Sequence, residues 1–319
     1  MEKNTMEENR SSAYIDLNSF PVDHVLNILL KDKTTKHSII FATDAYHIGD
    51  DQIDPLTEIT VRILIKLGEN PVQPRCFKSR SEQADRTRKN AEVFTPVWIC
   101  NRMNNFCDEE WFGRKDVFNA ENGHDHIVTE GPVLFPDGKQ WQKYVDSKRL
   151  EITCGEAPFL VSRYDAADGS PIDIRNRIGI LDRKMRIVNE NTETEADWLK
   201  WTYRAFQSVY GYEYQGDNLL IARINLLMSF AEYMADRLHR EPTIRELKKI
   251  ANIICWNIWQ MDGLTGTVPL LEREAEVQAL TLFSGFGLET SVEMEKIPCR
   301  IYDWRAKESV LYNSVKKFG

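Results

Sequence analysis

The sequence lacks several features that would assign a protein to a class at once. It contains no run of about 18 apolar residues, so we expect no transmembrane helix. Residues 1–10 are polar and have no apolar centre, which argues against a secretory signal peptide. The six cysteines form no CxxC pair, a pattern typical of reduced thiols in the cytoplasm. We therefore expect a cytoplasmic protein without membrane contacts.

An excess of positive charge is also missing. The formal net charge is −8, whereas proteins that bind duplex DNA unaided usually carry a basic surface that displaces counterions. DNA binding by this chain would therefore require a local basic patch or a basic partner. The best local candidate for phosphate contacts is segment 75–89, in which six basic residues face two acids. The more ordinary interpretation of this segment is a solvated helix face.

The composition itself is that of a globular protein. Hydrophobic residues make up 42% and charged residues 28% of 319 residues, which predicts a packed core in one large domain with an appendage or in two domains. Pro71 and Pro74 mark a boundary. We predict a helical and strand unit over residues 1–87 and a second domain over residues 88–319.

A strand followed by a glycine turn organises the second domain. Residues 149–161 begin as a short apolar strand that ends in Glu151, turn through Gly155 and continue as an apolar run that could open a helix. In open α/β sheets such a turn presents backbone N–H groups to a nucleotide-like ligand. A second strand is predicted over residues 209–215 and a long helix over residues 217–234. The pattern favours an α/β fold with a doubly wound, Rossmann-like sheet.

Two further patterns define helix starts. In the stretch Ala91-Glu-Val-Phe-Thr-Pro96, Thr95 is predicted to be an N-cap and Pro96 the first helical residue. Thr243 and Glu246 have the spacing of a capping box, which predicts a helix over residues 243–254.

Together, three stretches within residues 88–265 resemble the class I S-adenosylmethionine-dependent DNA adenine-N6 methyltransferases, the modification subunits of restriction systems. Ala91 to Pro96 is similar to the family signature that touches the methionine part of the cofactor, and Glu151 to Leu160 to its glycine-containing cofactor loop. Glu213 matches the acid that binds the ribose hydroxyls, and Asp262 matches the acid that accepts from the adenine amine. The cofactor-binding residues implied by the resemblance are Phe94, Thr95, Pro96, Glu151, Cys154, Gly155, Phe159, Glu213 and Asp262.

The sequence departs from the family pattern in three ways. Ala157 replaces the second glycine of the loop, and Pro158 removes an N–H group. The interval between the first two signatures is longer than usual, so residues 162–208 contain an insertion or a rearranged segment. The catalytic tetrapeptide, which has two prolines and an aromatic residue, is missing after Asp262.

A possible substitute for that tetrapeptide lies upstream. Residues 39–46 read as a buried strand that ends in Asp44-Ala-Tyr46, and some methyltransferases of this type are circularly permuted with the catalytic strand first. Asp44 and Tyr46 are therefore candidate catalytic residues, although such a strand end is more often an ordinary turn and both prolines are missing. The resemblance implies S-adenosylmethionine as cofactor and DNA as substrate, with a partner subunit supplying specificity in a restriction or phage-defence complex.

Three alternatives stay open at this point. The chain could retain the cofactor fold without turnover and serve as a scaffold or specificity subunit. Asp173, Asp182 and Lys184 could hold Mg²⁺ for phosphodiester cleavage if the apolar run 178–181 were a strand. A zinc site is a weaker possibility, because the spacing of its candidate ligands matches no standard pattern; these are Cys100, Cys107, His124 and His126.

Overall fold

The computed structural model describes residues 13–90, 92–93, 95–274 and 294–315. The helices are α1 (Leu26–Leu29), α2 (Val61–Leu67), α3 (Arg80–Asn90), α4 (Val97–Phe112), α5 (Trp141–Asp146), α6 (Ile180–Asn191), α7 (Glu195–Gln207), α8 (Gly216–Leu238), α9 (Ile244–Asn257) and α10 (Tyr312–Val315). The strands are β1 (His47–Ile48), β2 (Asp51–Gln52), β3 (Asn119–Asn122), β4 (Asp125–Val128), β5 (Arg149–Glu151), β6 (Val209–Glu213), β7 (Ile258–Gln260), β8 (Thr267–Glu274), β9 (Met294–Pro298), β10 (Arg300–Asp303) and β11 (Glu308–Leu311).

Three parallel strands form the centre of the molecule. The order is β5-β6-β7, with Glu151 opposite Gly211 and Glu213 opposite Gln260. Parallel neighbours require crossover connections. Helices α6 and α7 lie in the connection from β5 to β6, and α8 and α9 lie in that from β6 to β7. Elsewhere in the described ranges the strands pair antiparallel in twos. The predicted α/β class is therefore confirmed.

The middle strand β6 is buried along its whole length, as expected for a strand covered on both faces. Its residues alternate between two clusters. Val209 belongs to the large core with the crossover helices, whereas Tyr210 and Tyr212 pack with Trp259 in a smaller cluster on the side of β8 to β11. The face of the sheet that carries Glu213 is therefore the one covered by the large core.

Residues 39–42 lie against the N-terminus of α8. Phe41 O accepts from Gly216 N at 3.0 Å, and a Cβ on Gly216 would lie 2.0 Å from Ile40 O, so only glycine fits this contact. The predicted strand is extended and buried, but it makes only isolated bridges. Single backbone bonds, such as that from Phe41 N to Thr57 O at 3.1 Å, satisfy most of its polar groups, and the side chain of Gln260 bonds both the N–H and the C=O of Ile40.

The run after Gly155 does not open a helix. Residues 155–160 form turns, and the next helix along the chain, α6, begins at Ile180. The backbone explains this difference, since Ala157 has φ +65° and Pro158 supplies no N–H. Helix α4 also begins one residue later than predicted: Pro96 is its N-cap, and the side chain of Thr95 makes no capping bond there.

Other local predictions are confirmed. Strand β6 and helix α8 lie where the periodicity places them, and Thr243 and Glu246 form the capping box of α9. Core residues from Ile15 to Ile258 form one cluster, and the division at residue 88 stays a prediction. Over the described ranges, no helix combines the length and apolarity needed to cross a membrane.

Candidate functional site

The tips of β5 and β6 are joined through Glu213. Its Oε2 accepts from the backbone N–H of Gly155 at 2.8 Å, and its Oε1 accepts from that of Gln215 at 3.1 Å. Cys154 N also donates to Tyr212 O at 2.8 Å. Burial raises the pKa of Glu213, whose residue is 8% exposed, while the backbone N–H groups oppose this shift by favouring the carboxylate. Gly155 and Glu213 therefore lie side by side at the carboxyl edge of the sheet.

Glu151 supports the loop from inside. Its two carboxylate oxygens accept from Phe159 N at 3.3 Å and Leu160 N at 3.2 Å. Burial raises the pKa of Glu151 well above its usual value. Cys154 is buried as well, and burial raises the pKa of its thiol, so it packs under the loop. The carboxylate of Glu151 therefore binds the backbone of the loop.

Ala157 occupies the loop position at which the family pattern has its second glycine. It has φ +65° and is fully buried. A positive φ is the conformation for which glycine is favoured, so the loop retains a glycine-like turn although an alanine occupies it. The methyl group points into a packed environment, where it contributes to the large core.

A cleft of about 1,090 Å³ opens beside the loop. We call it the strand-tip cleft; its lining residues come from the N-terminal segment, from the end of α3 and from the tips of β5, β6 and β8. They are Ala42, Thr43, Asp44, Pro55, Arg88, Lys89, Glu92, Val93, Thr153, Gly155, Glu213, Tyr214, Gln215, Asn218 and Leu270. The cleft therefore brings Asp44, Gly155 and Glu213 together.

The two candidate catalytic residues share an adjacent hollow of about 530 Å³, but only Asp44 of the two also lines the strand-tip cleft. Oδ2 of Asp44 lies 3.2 Å from Lys89 Nζ. The hydroxyl of Tyr46 donates to Asp217 Oδ2 at 2.8 Å. The aromatic residue that lines the strand-tip cleft is Tyr214, which follows Glu213 directly. Sequence reasoning missed Tyr214, although its position after the strand-end acid was the available signal.

The basic segment 75–89 is only partly a surface feature. Arg86 is 5% exposed; its Nε donates to Glu92 at 2.6 Å and its Nη2 lies 2.8 Å from Asp217 Oδ2. Burial by itself raises the pKa of Asp217, but the charges of Arg86 and Lys78 outweigh it and hold the pKa below its usual value. Neither predicted role of the segment, phosphate contact or solvated helix face, applies to Arg86, because its guanidinium group is buried in ion pairs and anchors α3 to α8.

The remaining predicted cofactor residues that the structure describes lie outside the lining of the strand-tip cleft. Phe94 falls outside the described residues, and Thr95 and Pro96 are half-buried at the start of α4. The carboxylate of Asp262 accepts from Leu264 N at 2.9 Å within its own turn. Phe159 is half-buried, and its backbone N–H is the one bound by Glu151.

Leu270 is an unusual member of the lining. It has φ +59°, lies within the register shift between β8 and β9, and is 51% exposed. A bulky residue in the left-handed region is strained, and such strain concentrates at functional sites. The irregular pairing at this position places the apolar residue Leu270 in the lining of the cleft.

The residues of the nuclease alternative have structural roles here. The run 178–181 leads into helix α6, so the expectation of a strand at this position is wrong. Asp182 accepts from Ser162 N and Gly179 N, both at 2.9 Å. Lys184 Nζ is buried and donates to Val145 O, Ser147 O and Ser208 Oγ. Asp173 precedes the separate 3₁₀ turn Ile174–Asn176.

The zinc candidates are likewise apart. Cys100 Sγ donates to Thr95 O, and the ring of His124 stacks on Trp98 with centroids 4.4 Å apart. Throughout the ranges that the structure describes, no three His, Cys, Asp or Glu side chains are grouped so that they could hold a metal ion.

In comparisons with protein-family models, curated proteins and solved structures, the chain matches none.

Proposed function

We propose that the strand-tip cleft binds S-adenosylmethionine and that the chain is a methyltransferase-like modification subunit that acts on adenine in DNA or assists that action. The observation that carries the proposal is the 2.8 Å bond from Gly155 N to Glu213 Oε2. It brings the glycine turn and the second strand-end acid of the family pattern to neighbouring strand tips. The proposed fold is the Rossmann-like methyltransferase sheet, with β5, β6 and β7 as its first three strands.

The lining of the cleft fits such a cofactor in charge and shape. Glu213 retains acceptor capacity beyond its two backbone bonds, because each carboxylate oxygen has two lone pairs, and ribose hydroxyls are donors for it. Tyr214 and Leu270 offer aromatic and apolar surface to a purine ring. Arg88 and Lys89 supply positive charge for a carboxylate or for a DNA phosphate.

The proposed chemistry assigns one role to this chain's own residues. When bound, S-adenosylmethionine supplies an electrophilic methyl group. Asp44 is the carboxylate at the cleft that would accept a hydrogen bond from the adenine amine and so stabilise the positive charge that develops on its nitrogen as the nitrogen takes the methyl group; the amine then gives up one proton. Lys89 lies 3.2 Å from Asp44, so the pair must separate when the base binds. DNA specificity would come from a partner subunit.

A second candidate function is a scaffold that binds the cofactor without turnover. The position of Tyr46 favours it, since the hydroxyl is bound to the buried Asp217 and the side chain does not line the strand-tip cleft. An aromatic residue beside the catalytic acid holds the flipped base in active enzymes. Only Tyr214 is available for that contact among the described lining residues.

Calorimetry with S-adenosylmethionine tests the shared part of both functions. We expect wild-type protein to bind, Tyr214→Ala to bind about tenfold more weakly, since stacking contributes about 1 kcal/mol, and the exposed control Tyr14→Ala to bind normally. Absence of binding by the wild-type protein would exclude both functions.

A tritiated-methyl assay on adenine-containing DNA separates them. Transfer that is lost in Asp44→Asn but kept in the exposed control Asp51→Asn supports the enzyme, whereas binding without transfer supports the scaffold. Copurification tests the partner subunit, and a lone monomer that binds DNA specifically would exclude it.

A further inference from the structure

A second cleft, of about 460 Å³, lies between the 3₁₀ turn Ile174–Asn176, helix α6 and the C-terminal half of α8. We call it the arginine cleft, because four arginines line it: Arg175, Arg177, Arg183 and Arg186. None of its lining residues lines the strand-tip cleft. A ligand bound in the arginine cleft would therefore occupy a different site from the proposed cofactor.

Three of the four arginines form ion pairs within the protein, Arg177 with Glu232 and the two described next. Arg183 is buried in an ion pair with Asp108. Arg186 pairs with Glu190 at 2.8 Å and donates to three carbonyl oxygens, those of Phe118, Thr129 and Gly131. Through these contacts Arg183 joins α6 to α4, and Arg186 joins α6 to the residues that flank the β3–β4 hairpin.

Two of the three acids in the lining are also committed. Asp182 accepts from the backbone of Ser162 and Gly179 and from the hydroxyl of Tyr233. Glu190 accepts from Val133 N at 2.8 Å in addition to its pair with Arg186. Asp236, at the exposed rim, is the lining acid for which the described residues provide no bonding partner.

Arg175 and Arg177 keep donor capacity. Arg175 is exposed and has neither an ion pair nor a side-chain hydrogen bond within the described ranges. The side chain of Arg177 is 7% exposed; its Nε donates to Ile172 O at 3.2 Å and its Nη2 lies 2.6 Å from Glu232 Oε2. Its Nη1 is buried without an acceptor among the described residues. A buried donor without a partner is unfavourable, so Arg177 gains a hydrogen bond if its guanidinium group turns towards an acceptor in the cleft.

We infer that the arginine cleft binds the anionic group, phosphate or carboxylate, of a small molecule, held by Arg175 and Arg177. The two side chains lie one residue apart on either side of Asn176, so both are available from the same turn. Guanidinium groups bind these two anions through paired N–H donors, which phosphate and carboxylate share as acceptors. Asp236 opposes a high negative charge at the rim and favours a ligand with a single anionic end.

Calorimetry in a buffer free of competing anions tests this inference, with inorganic phosphate and acetate as separate probes. We expect the wild-type protein to bind at least one of them, and the stronger probe shows which anion is preferred. Arg175→Ala should bind about tenfold more weakly, equivalent to about 1.4 kcal/mol. Arg177→Lys should also weaken binding, since lysine can keep the pair with Glu232 but loses the planar fork.

Two further variants sharpen the result. Asp236→Asn should bind more tightly, because it removes the unpaired negative charge at the rim. Arg62→Ala, an exposed control on α2, should bind like the wild-type protein. The inference is wrong if neither probe binds, if Arg175→Ala and Arg177→Lys both bind normally, or if Asp236→Asn does not bind more tightly. Because Arg175 is exposed, its removal is compatible with an intact fold, which circular dichroism checks.

Discussion

The backbone N–H of Gly155 and the carboxylate of Glu213 lie 2.8 Å apart, on neighbouring tips of parallel strands. The bond fixes the loop after β5 relative to the end of β6. Gln215 N binds the other carboxylate oxygen, so a ligand would have to use the lone pairs that these two bonds leave free.

Glu213→Gln should weaken binding of S-adenosylmethionine by at least about tenfold. The amide replaces one acceptor oxygen by an NH₂ group, which cannot accept from Gly155 or Gln215, so the loop loses an anchor. We expect the free energy of unfolding to fall by about 1–3 kcal/mol. Calorimetry and urea unfolding measure the two effects. The exposed control Glu69→Gln should change neither, and normal affinity in Glu213→Gln would remove this carboxylate from the proposed site.

Leu270→Asn should separate stability from binding. Asparagine tolerates a positive φ better than leucine, so the free energy of unfolding should stay the same or rise by about 0.5–1 kcal/mol. If Leu270 contacts the purine ring, affinity for S-adenosylmethionine should fall several-fold in the same variant. Thermal unfolding and calorimetry provide the comparison. Unchanged affinity would show that the strain at residue 270 has no role in binding, without affecting the test with Tyr214→Ala.

Arg86→Leu should lower the free energy of unfolding by about 3 kcal/mol, because it removes the shorter ion pair of Glu92 and of Asp217 and leaves these buried carboxylates only Arg75 at 3.2 Å and Lys78 at 3.6 Å. The matched control is Arg80→Ala, which removes an exposed arginine from the same helix and should cost less than about 0.5 kcal/mol. Urea unfolding measures both. Equal, small effects would mean that segment 75–89 is the solvated helix face that its composition first suggests.

Lys184→Met should destabilise the protein by about 1–3 kcal/mol, since the carbonyls of Val145 and Ser147 lose a buried donor. Burial lowers the pKa of Lys184 well below its usual value, as expected for an amine that contacts only neutral acceptors. The nuclease alternative instead expects loss of Mg²⁺-dependent DNA cleavage with stability unchanged. Denaturant unfolding combined with a plasmid-nicking assay distinguishes the two outcomes.

Glu246→Gln should remove a stabilising contribution of about 1 kcal/mol at pH 7. The side-chain hydrogen bond from Arg240, together with the bonds from Thr243, lowers the pKa of Glu246 to about 2. A depressed folded-state pKa means that the ionised form stabilises the native state, so the contribution is complete above the unfolded value and is lost as the pH falls towards about 2.

The difference in unfolding free energy between wild-type and Glu246→Gln protein should therefore shrink below about pH 4.5, the usual pKa of a glutamate side chain. Urea titrations at several pH values between 7 and 3 measure it. The exposed variant Glu193→Gln serves as the control for general charge effects. A difference that stays constant with pH would assign the loss to geometry and not to charge.

Local features of the chain were predictable where short-range interactions define them. The capping box of α9 needs only Thr243 and Glu246, three residues apart, and the hydrophobic pattern of α8 repeats within a few turns. Strand β6 is recognisable because it is short, apolar and ends in an acid. The absence of a helix after Gly155 was not predictable in this way, since the positive φ of Ala157 and the bonds from Phe159 N and Leu160 N to Glu151 belong to the folded loop and leave no local pattern in the sequence.

The sequence by itself determined the α/β class, the positions of β6, α8 and α9, and the acids at the strand ends, because hydrophobic periodicity and capping act between residues that are close along the chain. Only the tertiary structure decided which charged side chains are buried. Arg86 meets Asp217, and Asp44 shares a cleft with Glu213, through contacts between segments far apart in sequence. The free energy cost of burying a charge depends on such distant partners. The local sequence around either residue does not predict that the two residues will be in contact.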